Sequence, residues 1–162
     1  MERKASFPPV AAADARLLIL GSLPGEASLA ARRYYAHPSN QFWRLAGAAI
    51  GRDIAGLAYD ERLAALGEAG VGLWDVVASA TRRGSLDGAI RQIEGNPLAA
   101  LVAGLPRLKA VGFNGGTAAR VGRRLLAGTT LTLVDLPSSS AAYTLAFEAK
   151  RERWEALRAF LR

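Results

Sequence analysis

Four short apolar runs, separated by helical patterns, constrain the fold of this chain most. Each is four to seven residues long and rich in Leu, Val, Ile or Phe, as is typical of a fully buried strand. The runs are Leu17–Leu20, Val71–Val77, Leu108–Phe113 and Leu131–Val134. Strands that alternate with helices favour a mainly parallel sheet covered on both faces. The sequence therefore predicts an α/β fold, a three-layer α/β/α sandwich around a central, mainly parallel four-stranded sheet.

Amphipathic patterns predict the connecting helices, at Phe42–Ile50, Asp60–Ala69, Pro97–Ala103, Thr117–Ala127 and Leu145–Leu161. The last pattern mixes apolar residues with Lys150 and several arginines, which predicts a helix that packs on the sheet and exposes a basic face. We see no internal repeat and no linker, so residues 16–162 are expected to form one domain. Residues 1–15, with Pro8-Pro9, are expected to form a loose or docking arm.

The residue inventory excludes several kinds of chemistry. The 162 residues include no cysteine and one histidine. A disulfide, a thiolate nucleophile and a cysteine-ligated iron–sulfur cluster are therefore excluded, and a zinc site is not expected. We expect no metal and no cofactor. No run reaches the ~20 apolar residues of a membrane span and no signal pattern opens the chain, so a soluble, cytoplasmic protein is predicted.

The net charge of +7 comes almost entirely from arginine. A basic domain attracts polyanions, and arginine can contact phosphate through two donors at once. A chain rich in Arg, Ala and Gly is also typical of a GC-rich genome. The charge supports a nucleic-acid partner but does not establish one.

Polar or glycine-rich residues follow each predicted strand. Gly21–Gly25 follows the first, Asp75 lies late in the second, Asn114 ends the third and Pro137–Ser140 follows the fourth. Because right-handed crossovers put the carboxyl ends of parallel strands at one edge, these residues should meet there. Ligands of open α/β sheets bind at this edge. A functional site is therefore predicted at it.

One turn-rich segment carries an unusual combination of side chains. Tyr34–Trp43 contains paired tyrosines, the histidine His37 and Asn40, just before a predicted helix. Aromatic rings beside short polar groups suit a pocket that stacks a planar ring and hydrogen-bonds its edge. His37 could act as a general base because histidine titrates near neutral pH, but a loop anchor is the more common role of a lone histidine before proline.

Three segments together resemble the uracil-DNA glycosylase superfamily. Gly21-Ser22-Leu23-Pro24-Gly25 with Tyr35-Ala36-His37-Pro38-Ser39-Asn40-Gln41-Phe42-Trp43 resembles the first motif of the mismatch-specific uracil and thymine branch. Leu136-Pro137-Ser138-Ser139-Ser140-Ala141 is similar to the second motif, and Gly112-Phe113-Asn114-Gly115 to the Phe-Asn-Gly between them. That branch positions its attacking water with an asparagine where this chain has Leu23. The pattern with Gly-Ser-x-Pro-Gly and a later Asn instead resembles the hypoxanthine-DNA glycosylase family.

The resemblance implies roles for the matched residues. Asn40 would position the attacking water, although an asparagine here could also cap the following helix. Asn114 would read the edge of the extruded base, unless it only serves the strand-to-helix turn. Tyr35 would stack on that base, with Tyr34 as the second choice. Ser22, Phe113 and Asp75 complete the residues expected to bind the base.

Carboxylates near the edge have other possible roles. Asp75 or Glu26 could activate water or stabilise the sugar cation, whereas Asp135 is expected to be structural.

Residues at the rim are expected to bind DNA. Pro137, Ser138, Ser139 and Ser140 would form the loop that presses into the minor groove. Thymine-DNA glycosylase follows this motif with Ala-Arg, whose arginine fills the gap left by the extruded base. Here the motif continues Ala141-Ala142-Tyr143, so Tyr143 is the candidate for that role. Arg82, after the second strand, could contact phosphate or lie in a solvated loop.

The leading hypothesis is a monofunctional DNA glycosylase that releases hypoxanthine from double-stranded DNA containing a deaminated base. It would act as a monomer, in the cytoplasm and on the bacterial nucleoid when bound to DNA. One alternative is a mismatch-specific uracil or thymine glycosylase. Another is a nucleotide-binding domain that cradles phosphate at Gly21–Gly25 or Gly112–Gly116, which lack a full phosphate-binding motif. A last alternative is a DNA-binding relative without activity.

Overall fold

The computed structural model describes residues 3–82 and 84–162. The strands in these residues are β1 (Arg3–Ala5), β2 (Leu17–Gly21), β3 (Val71–Asp75), β4 (Val77–Thr81), β5 (Arg91–Gly95), β6 (Ala110–Asn114) and β7 (Thr132–Leu136). Four of them form a parallel sheet in the order β3-β2-β6-β7. This confirms the predicted α/β class and the central parallel sheet.

The helices are α1 (Glu26–Ala31), α2 (Phe42–Ile50), α3 (Tyr59–Glu68), α4 (Leu98–Ala103), α5 (Gly116–Leu125) and α6 (Phe147–Glu155). Two 3₁₀ helices, Asp87–Ala89 and Ala156–Leu161, complete the set in the described part of the chain. The bounds of α2 agree with the prediction. Helix α1 was not predicted, because its six residues are too few to establish an apolar period.

The parallel sheet lies between two helical layers. Along β2, alternate side chains point to opposite faces. Leu18 and Leu20 pack in one apolar cluster with residues of α4 and α5, whereas Leu17 and Ile19 pack in the other with residues of α2, α3 and α6. All five residues of β2 are buried. Because both faces of β2 are covered, it appears in the sequence as an unbroken apolar run.

The prediction of a single strand over Val71–Val77 was wrong. The chain leaves the parallel sheet after Asp75, and β4 pairs antiparallel with β1 and β5 in a separate three-stranded sheet. Val76 and Val77 remain fully buried in the core, so apolarity continues across the point where the partner strand changes. Hydrophobicity alone cannot detect such a change of partner.

The N-terminal segment docks on the domain. Strand β1 pairs with β4, and Val10 forms an isolated bridge with Leu73 at the outer strand of the parallel sheet. Phe7 packs edge-on against the ring of Tyr34, with the ring centroids 5.2 Å apart. These contacts bring the residues before β2 close to the carboxyl edge of the sheet.

The C-terminal helical segment differs from the prediction in one side chain. The residues of the pattern at Leu145–Leu161 form α6 and the 3₁₀ helix that follows it. Trp154 packs in the core as expected. Lys150, expected on a solvated basic face, is instead fully buried. A periodic pattern could not reveal this, because the acceptors that satisfy Lys150 belong to distant segments.

The strand register aligns the polar strand ends. Gly21 of β2 lies opposite Asp75 of β3, and Asn114 of β6 lies opposite Leu136 of β7. The edge predicted from strand order is therefore present, and the loops after all four strands begin there. None of the helices in the described residues has the length and apolarity that a membrane span requires.

Candidate active site

A cavity of ≈570 Å³ opens at the carboxyl edge of the parallel sheet. Its lining includes most of the residues that the sequence placed in a site: Ser22, Tyr35, Asn40, Asp75, Asn114, Ser138, Ser139, Ser140 and Tyr143. They come from the ends of β2, β3 and β6, from the turn before α2 and from the loop after β7. The edge therefore brings together groups that lie more than one hundred residues apart.

At Gly21 the backbone of the cavity floor lies close to two side-chain oxygens. A Cβ atom at this position would lie 2.7 Å from Asp75 Oδ1 and 2.8 Å from the hydroxyl of Tyr35. No side chain larger than hydrogen fits between these oxygens without moving them. Gly21 therefore allows a carboxyl group and a phenol to converge on one small region of the floor.

Tyr35 is held in an unusual conformation. Its φ of 53° lies in the left-handed region, which a residue with a Cβ rarely adopts. The ring stacks face to face on Phe42 at 3.7 Å between centroids, and Trp43 Nε1 donates to the Tyr35 carbonyl at 3.1 Å. Because Phe42 covers one face of the ring, a ligand can reach only the opposite face or the hydroxyl.

Asn114 bridges two segments of the site. Its Oδ1 accepts a hydrogen bond from the Ser139 backbone N–H at 2.9 Å, which fixes the orientation of the amide. Its Nδ2 donates to Ser139 Oγ at 2.9 Å and to the Tyr35 hydroxyl at 3.3 Å. Both amide hydrogens therefore have partners inside the protein. Only the second lone pair of Oδ1 remains for a ligand.

Asn40 lies at the side of the cavity with half of its amide engaged. Its Oδ1 accepts from the Phe42 backbone N–H at 2.9 Å, at the first turn of α2. The N-cap of α2 is Gln41, whose side chain makes no capping bond, so Asn40 forms a turn contact just before the helix and is not the cap considered from the sequence. Its Nδ2 has no hydrogen-bond partner within residues 3–82 and 84–162. The contact with Phe42 orients the amide and leaves its amino group available.

Lys150 forms hydrogen bonds to both the turn before α2 and the loop after β7. Its ammonium group donates to Gln41 Oε1 at 2.9 Å and to the Ser140 carbonyl at 3.1 Å, and Gln41 donates its backbone N–H to the Ser139 carbonyl at 2.9 Å. Burial lowers the pKa of Lys150. The start of α2 and the loop after β7 therefore share a buried hydrogen-bonded connection.

Arg82 is buried, and its side chain does not lie on the surface where a phosphate contact was expected. Its side chain is 1% exposed, and its guanidinium donates to the carbonyls of Leu23, Pro24 and Gly84. It also lies 3.8 Å from Asp87, which accepts a hydrogen bond from Ser22 Oγ at 2.6 Å. Arg82 holds the loop after β2 and does not face solvent.

Phe113 and Leu23 belong to the core. Phe113 is fully buried in the cluster beneath α5, and its ring lies against the position where a Cβ of Gly122 would be. It therefore does not present its ring to a base as expected. Leu23 is 6% exposed and packs in the same cluster. Leu23 also lines the cavity, but its apolar side chain has no group that can hydrogen-bond a water molecule.

Three other titratable candidates lie at the rim or outside the site. His37 Nδ1 contacts the backbone N–H of Ser39 at 3.1 Å and its Oγ at 2.8 Å, which matches a loop anchor. Glu26 is exposed at the rim and pairs with Lys4, which lowers its pKa. Asp135 is outside the cavity lining and pairs with Arg123 at 2.9 Å.

The loop after β7 forms one lip of the cavity. Trp154 Nε1 donates to the Pro137 carbonyl at 3.0 Å and anchors the start of the loop. Ser139 is 1% exposed, whereas Tyr143 is 49% exposed. Leu86, which also lines the cavity and which no sequence pattern indicates, is 62% exposed. Two apolar side chains therefore project at the rim.

The electrostatics of the floor favour neutral groups. Burial raises the pKa of Asp75 to about 7, and a hydrogen bond from Ser6 opposes this only in part. Burial likewise raises the pKa of Tyr35 and that of Asp87. The described residues contain no group of three or more His, Asp or Glu side chains arranged to hold a metal ion.

Sequence reasoning missed Ser6 and Gln41 among the groups that support the site. Ser6 lies in the segment expected to be an arm, and its Oγ is 3.0 Å from Asp75 Oδ2. No local pattern marks either residue, because each acts on a partner far away in the chain.

Comparison with known proteins agrees with this geometry. The model of the "Uracil DNA glycosylase superfamily" matches residues 8–160. The chain is 38% identical over 154 residues to a Methanosarcina acetivorans protein named hypoxanthine DNA glycosylase, covering 95% of this chain and 97% of that one. It is 40% identical over 152 residues to a Methanosarcina barkeri protein of the same name, covering 94% and 96%.

A solved structure is also similar. The solution NMR structure of a candidate uracil DNA glycosylase from Methanosarcina acetivorans superposes with a TM-score of 0.89 at 37% identity, covering 99% of this chain and all of the other. The fold and the site define the class of this protein: an α/β protein with a parallel sheet and a polar cavity at the carboxyl edge of that sheet. The chain belongs to the uracil DNA glycosylase superfamily.

Proposed function

We propose that this protein is a monofunctional DNA glycosylase that hydrolyses the N-glycosidic bond of deoxyinosine and releases hypoxanthine. The observation that carries the proposal is the arrangement of Asn40, Tyr35 and Asn114 around one cavity, in a chain whose relatives are named hypoxanthine DNA glycosylase. A glycosylase extrudes its target nucleotide from the duplex into such a pocket.

Asn40 would position the attacking water. Its Nδ2 is free of protein partners in the described residues, and the Phe42 N–H fixes the plane of the amide through Oδ1. An amide oxygen has a second lone pair, so Asn40 can both donate to a water molecule and accept from it. A neutral residue suffices when the sugar already carries positive charge in the transition state, because water then needs orientation more than activation.

The base would bind between Tyr35 and the cavity floor. The face of Tyr35 opposite Phe42 would offer the stacking surface, and its hydroxyl accepts from Asn114, which leaves the hydroxyl hydrogen for the base. The remaining lone pair of Asn114 Oδ1 can accept from the ring N–H of hypoxanthine. Ser22 lies beside this floor and is held by Asp87.

The cavity favours a monofunctional reaction. A glycosylase that also cleaves the strand needs an amine to form a Schiff base. No lysine is found among the described residues that line the cavity. Two lysines of the described chain bond to lining residues, and both are already paired: Lys150 is buried and donates to Gln41 and Ser140, and Lys4 pairs with Glu26 at the rim.

Leu23 argues against the alternative of a uracil or thymine mismatch enzyme. In that branch an asparagine at this position holds the water, whereas Leu23 packs in the core here. The net charge of +7 and the exposed Tyr143 at the rim support duplex DNA as the partner. The same proposal includes action as a monomer, in the cytoplasm and on the nucleoid while the protein is bound to DNA.

Base release from duplexes that carry a single lesion tests the proposal. Hypoxanthine, uracil, a thymine mismatch and xanthine are offered to the wild type and to Asn40→Ala. We expect release of hypoxanthine by the wild type and at least about a 100-fold lower rate for the variant, a loss typical of a removed catalytic group. Release of uracil but not hypoxanthine would contradict the proposal. Duplex binding without any release would favour a DNA-binding relative.

Asn40→Asp separates catalysis from the structural contact to Phe42. Aspartate keeps an oxygen for the Phe42 N–H and is well accepted at a helix start, but it lacks the amino group. We expect Asn40→Asp to retain the wild-type melting temperature to within a few degrees and to lose base release as Asn40→Ala does. Retained activity in both Asn40→Ala and Asn40→Asp would leave Asn40 with the structural contact to Phe42 alone.

A further inference from the structure

Asp75 is a buried carboxyl group without a cationic partner among the described residues. It is 4% exposed, and no Arg, Lys or His nitrogen of the described chain lies within ion-pair distance. The nearby guanidinium of Arg82 lies 3.8 Å from Asp87 instead. Burial of an unpaired charge is costly, so a carboxyl group in this setting retains its proton more readily.

The carboxyl group is held with one oxygen toward the cavity. Ser6 Oγ lies 3.0 Å from Oδ2, and the Asp75 carbonyl accepts from Asn96 Nδ2 at 2.7 Å. Its Oδ1 has no hydrogen-bond partner among residues 3–82 and 84–162, and it borders the cavity floor beside Gly21 and the Tyr35 hydroxyl. This oxygen is therefore the one that a bound base can meet.

Ser6 can form a hydrogen bond with Asp75 in both protonation states. When the group is ionised, Ser6 can donate to Oδ2. When Oδ2 carries the proton, it can donate to Ser6 Oγ, whose own hydrogen then reaches the Phe7 carbonyl at 3.2 Å. The serine hydroxyl rotates at little cost. The N-terminal segment thus supplies a partner that adjusts to the charge of Asp75.

Resting on the proposed function, we propose that Asp75 is a catalytic residue that donates a proton to the departing purine, and that Ser6 is its positioning residue. The proton would pass from Oδ1, the oxygen beside the cavity floor, to N7, an acceptor of the five-membered ring, while Ser6 donates to Oδ2. The C1′–N9 bond would break with its electron pair entering the protonated base, which leaves as neutral hypoxanthine. The water held by Asn40 would add to C1′ and release its proton to solvent, and solvent would reprotonate Asp75.

This step gives the site a preference for purines. Uracil has no five-membered ring and therefore no N7 to protonate. Hypoxanthine leaves more readily once N7 carries a proton, because the ring then accepts the electron pair as a cation. A fixed acid on the floor therefore accelerates purine release and contributes nothing equivalent to uracil release.

The groups that face Asp75 set the pH at which it can act. Burial is the main cause that raises its pKa to about 7; Asp87 adds to the rise, whereas the bond from Ser6 and the charge of Arg82 oppose it. Tyr35 and Tyr34 also lie near, and the pKa of each is raised so that both stay neutral. The acid form of Asp75 is therefore present near neutral pH and disappears above it.

Single-turnover release of hypoxanthine between pH 5 and pH 9 tests the step with Asp75→Asn. The wild-type rate is expected to fall above about pH 7, by up to about tenfold per pH unit. Asp75→Asn keeps the shape and the neutral charge but has no acidic proton. We expect it to be at least about 100-fold slower at pH 6 and to lack the fall. A duplex with 7-deazahypoxanthine should resist the wild type.

Two further variants should move the pH midpoint in opposite directions. Ser6→Ala removes the bond that favours the ionised form, so the pKa of Asp75 rises and the midpoint moves to higher pH. Asp87→Asn removes a negative neighbour, so the pKa falls and the midpoint moves to lower pH. A purely structural role of Ser6 or Asp87 would change rates without such opposite shifts.

The outcomes separate this step from the proposed function. If the wild type releases no hypoxanthine, the proposed function fails. If it releases hypoxanthine and Asp75→Asn keeps the rate and pH profile, the proton donor is overturned while the function stands. If the rate rises through pH 7, Asp75 acts as an ionised carboxylate that stabilises the sugar cation. If 7-deazahypoxanthine is released as fast as hypoxanthine, N7 is not the atom that receives the proton. Either result overturns the step.

Discussion

Asn114 holds Ser139 through two hydrogen bonds of 2.9 Å, one accepted by its amide oxygen and one donated by its amide nitrogen. The pair joins the end of β6 to the loop after β7, and Ser139 is 1% exposed. Both hydrogens of the Asn114 amide are engaged, one of them by Tyr35. The residue expected to read the base therefore also supports the residue expected to stack on it.

The first prediction concerns Asn114→Ala. The substitution leaves the buried Ser139 N–H without an acceptor, which costs about 1–3 kcal/mol of the free energy of unfolding. We expect a destabilisation of this size together with a loss of base release. Denaturant unfolding and single-turnover kinetics measure the two effects. Ser138→Ala removes only a local turn contact to Ser140 and serves as the control for stability.

The second prediction concerns Lys150→Met, which fits the volume but removes the ammonium group. Gln41 Oε1 and the Ser140 carbonyl would lose their donor, at a cost of about 1–3 kcal/mol, offset in part because a charge is no longer buried. We expect slower base release, because Lys150 connects the turn before α2 to the loop after β7. Equal activity of Lys150→Met and wild type would show that the connection is not needed for positioning.

The third prediction is a pH dependence of stability. The pKa of Asp75 is raised from 3.8 to about 7 in the folded state, so folding favours the protonated form. Its contribution is complete below pH 3.8 and is lost as the pH rises to about 7. Relative to Asp75→Asn, the free energy of unfolding should fall with pH across this window, by up to about 1.4 kcal/mol per unit. Urea unfolding at pH 4.5, 6 and 8 measures it, and a wild type that gains stability relative to Asp75→Asn as the pH rises would contradict the raised pKa.

The fourth prediction concerns Tyr143, which is 49% exposed beside the cavity. If its ring fills the gap left by the extruded base, Tyr143→Ala should lower hypoxanthine release from duplex DNA more than from single-stranded DNA, where no gap forms. A loss of about tenfold on duplex corresponds to ~1.4 kcal/mol, within the range for stacking of a base on an aromatic ring. Tyr143→Phe keeps the ring and should behave as wild type.

The fifth prediction concerns Arg82. A residue that binds phosphate reduces the salt slope of DNA affinity by about one when it is removed. Arg82 is 1% exposed and bonded to carbonyls of the loop after β2. We therefore expect Arg82→Met to leave the salt slope of duplex binding unchanged while it lowers the melting temperature. A decrease of the slope by one would instead show that Arg82 contacts a phosphate, as expected from the sequence.

Much of the fold and the place of the site could be predicted from local patterns. Leu17–Leu20 identified a central strand because both faces of β2 are covered, and strand order alone brought Gly21, Asp75 and Asn114 to one edge. The helix at Phe42–Ile50 followed from its apolar period. The motifs at Tyr35–Trp43 and Leu136–Ala141 were sufficient for the superfamily.

Local patterns failed where the deciding partner is distant. The strands β1, β4 and β5 are partly exposed, and none of them contains an apolar run like those of the parallel sheet. The small sheet was therefore not predicted. Arg82 and Lys150 look like surface cations in the sequence and are buried in the structure. Each satisfies backbone carbonyls that only the folded chain brings near.

The sequence by itself determined the layers, the parallel sheet and the chemical groups at its edge, because these depend on hydrophobic period and on residue type. The tertiary structure alone decided which atoms of those groups remain free. Asn40 keeps its amino group and Asp75 keeps Oδ1, whereas the amide hydrogens of Asn114 are used within the protein. Hydrogen bonding depends on distance and direction across the fold, and residue order alone does not specify either.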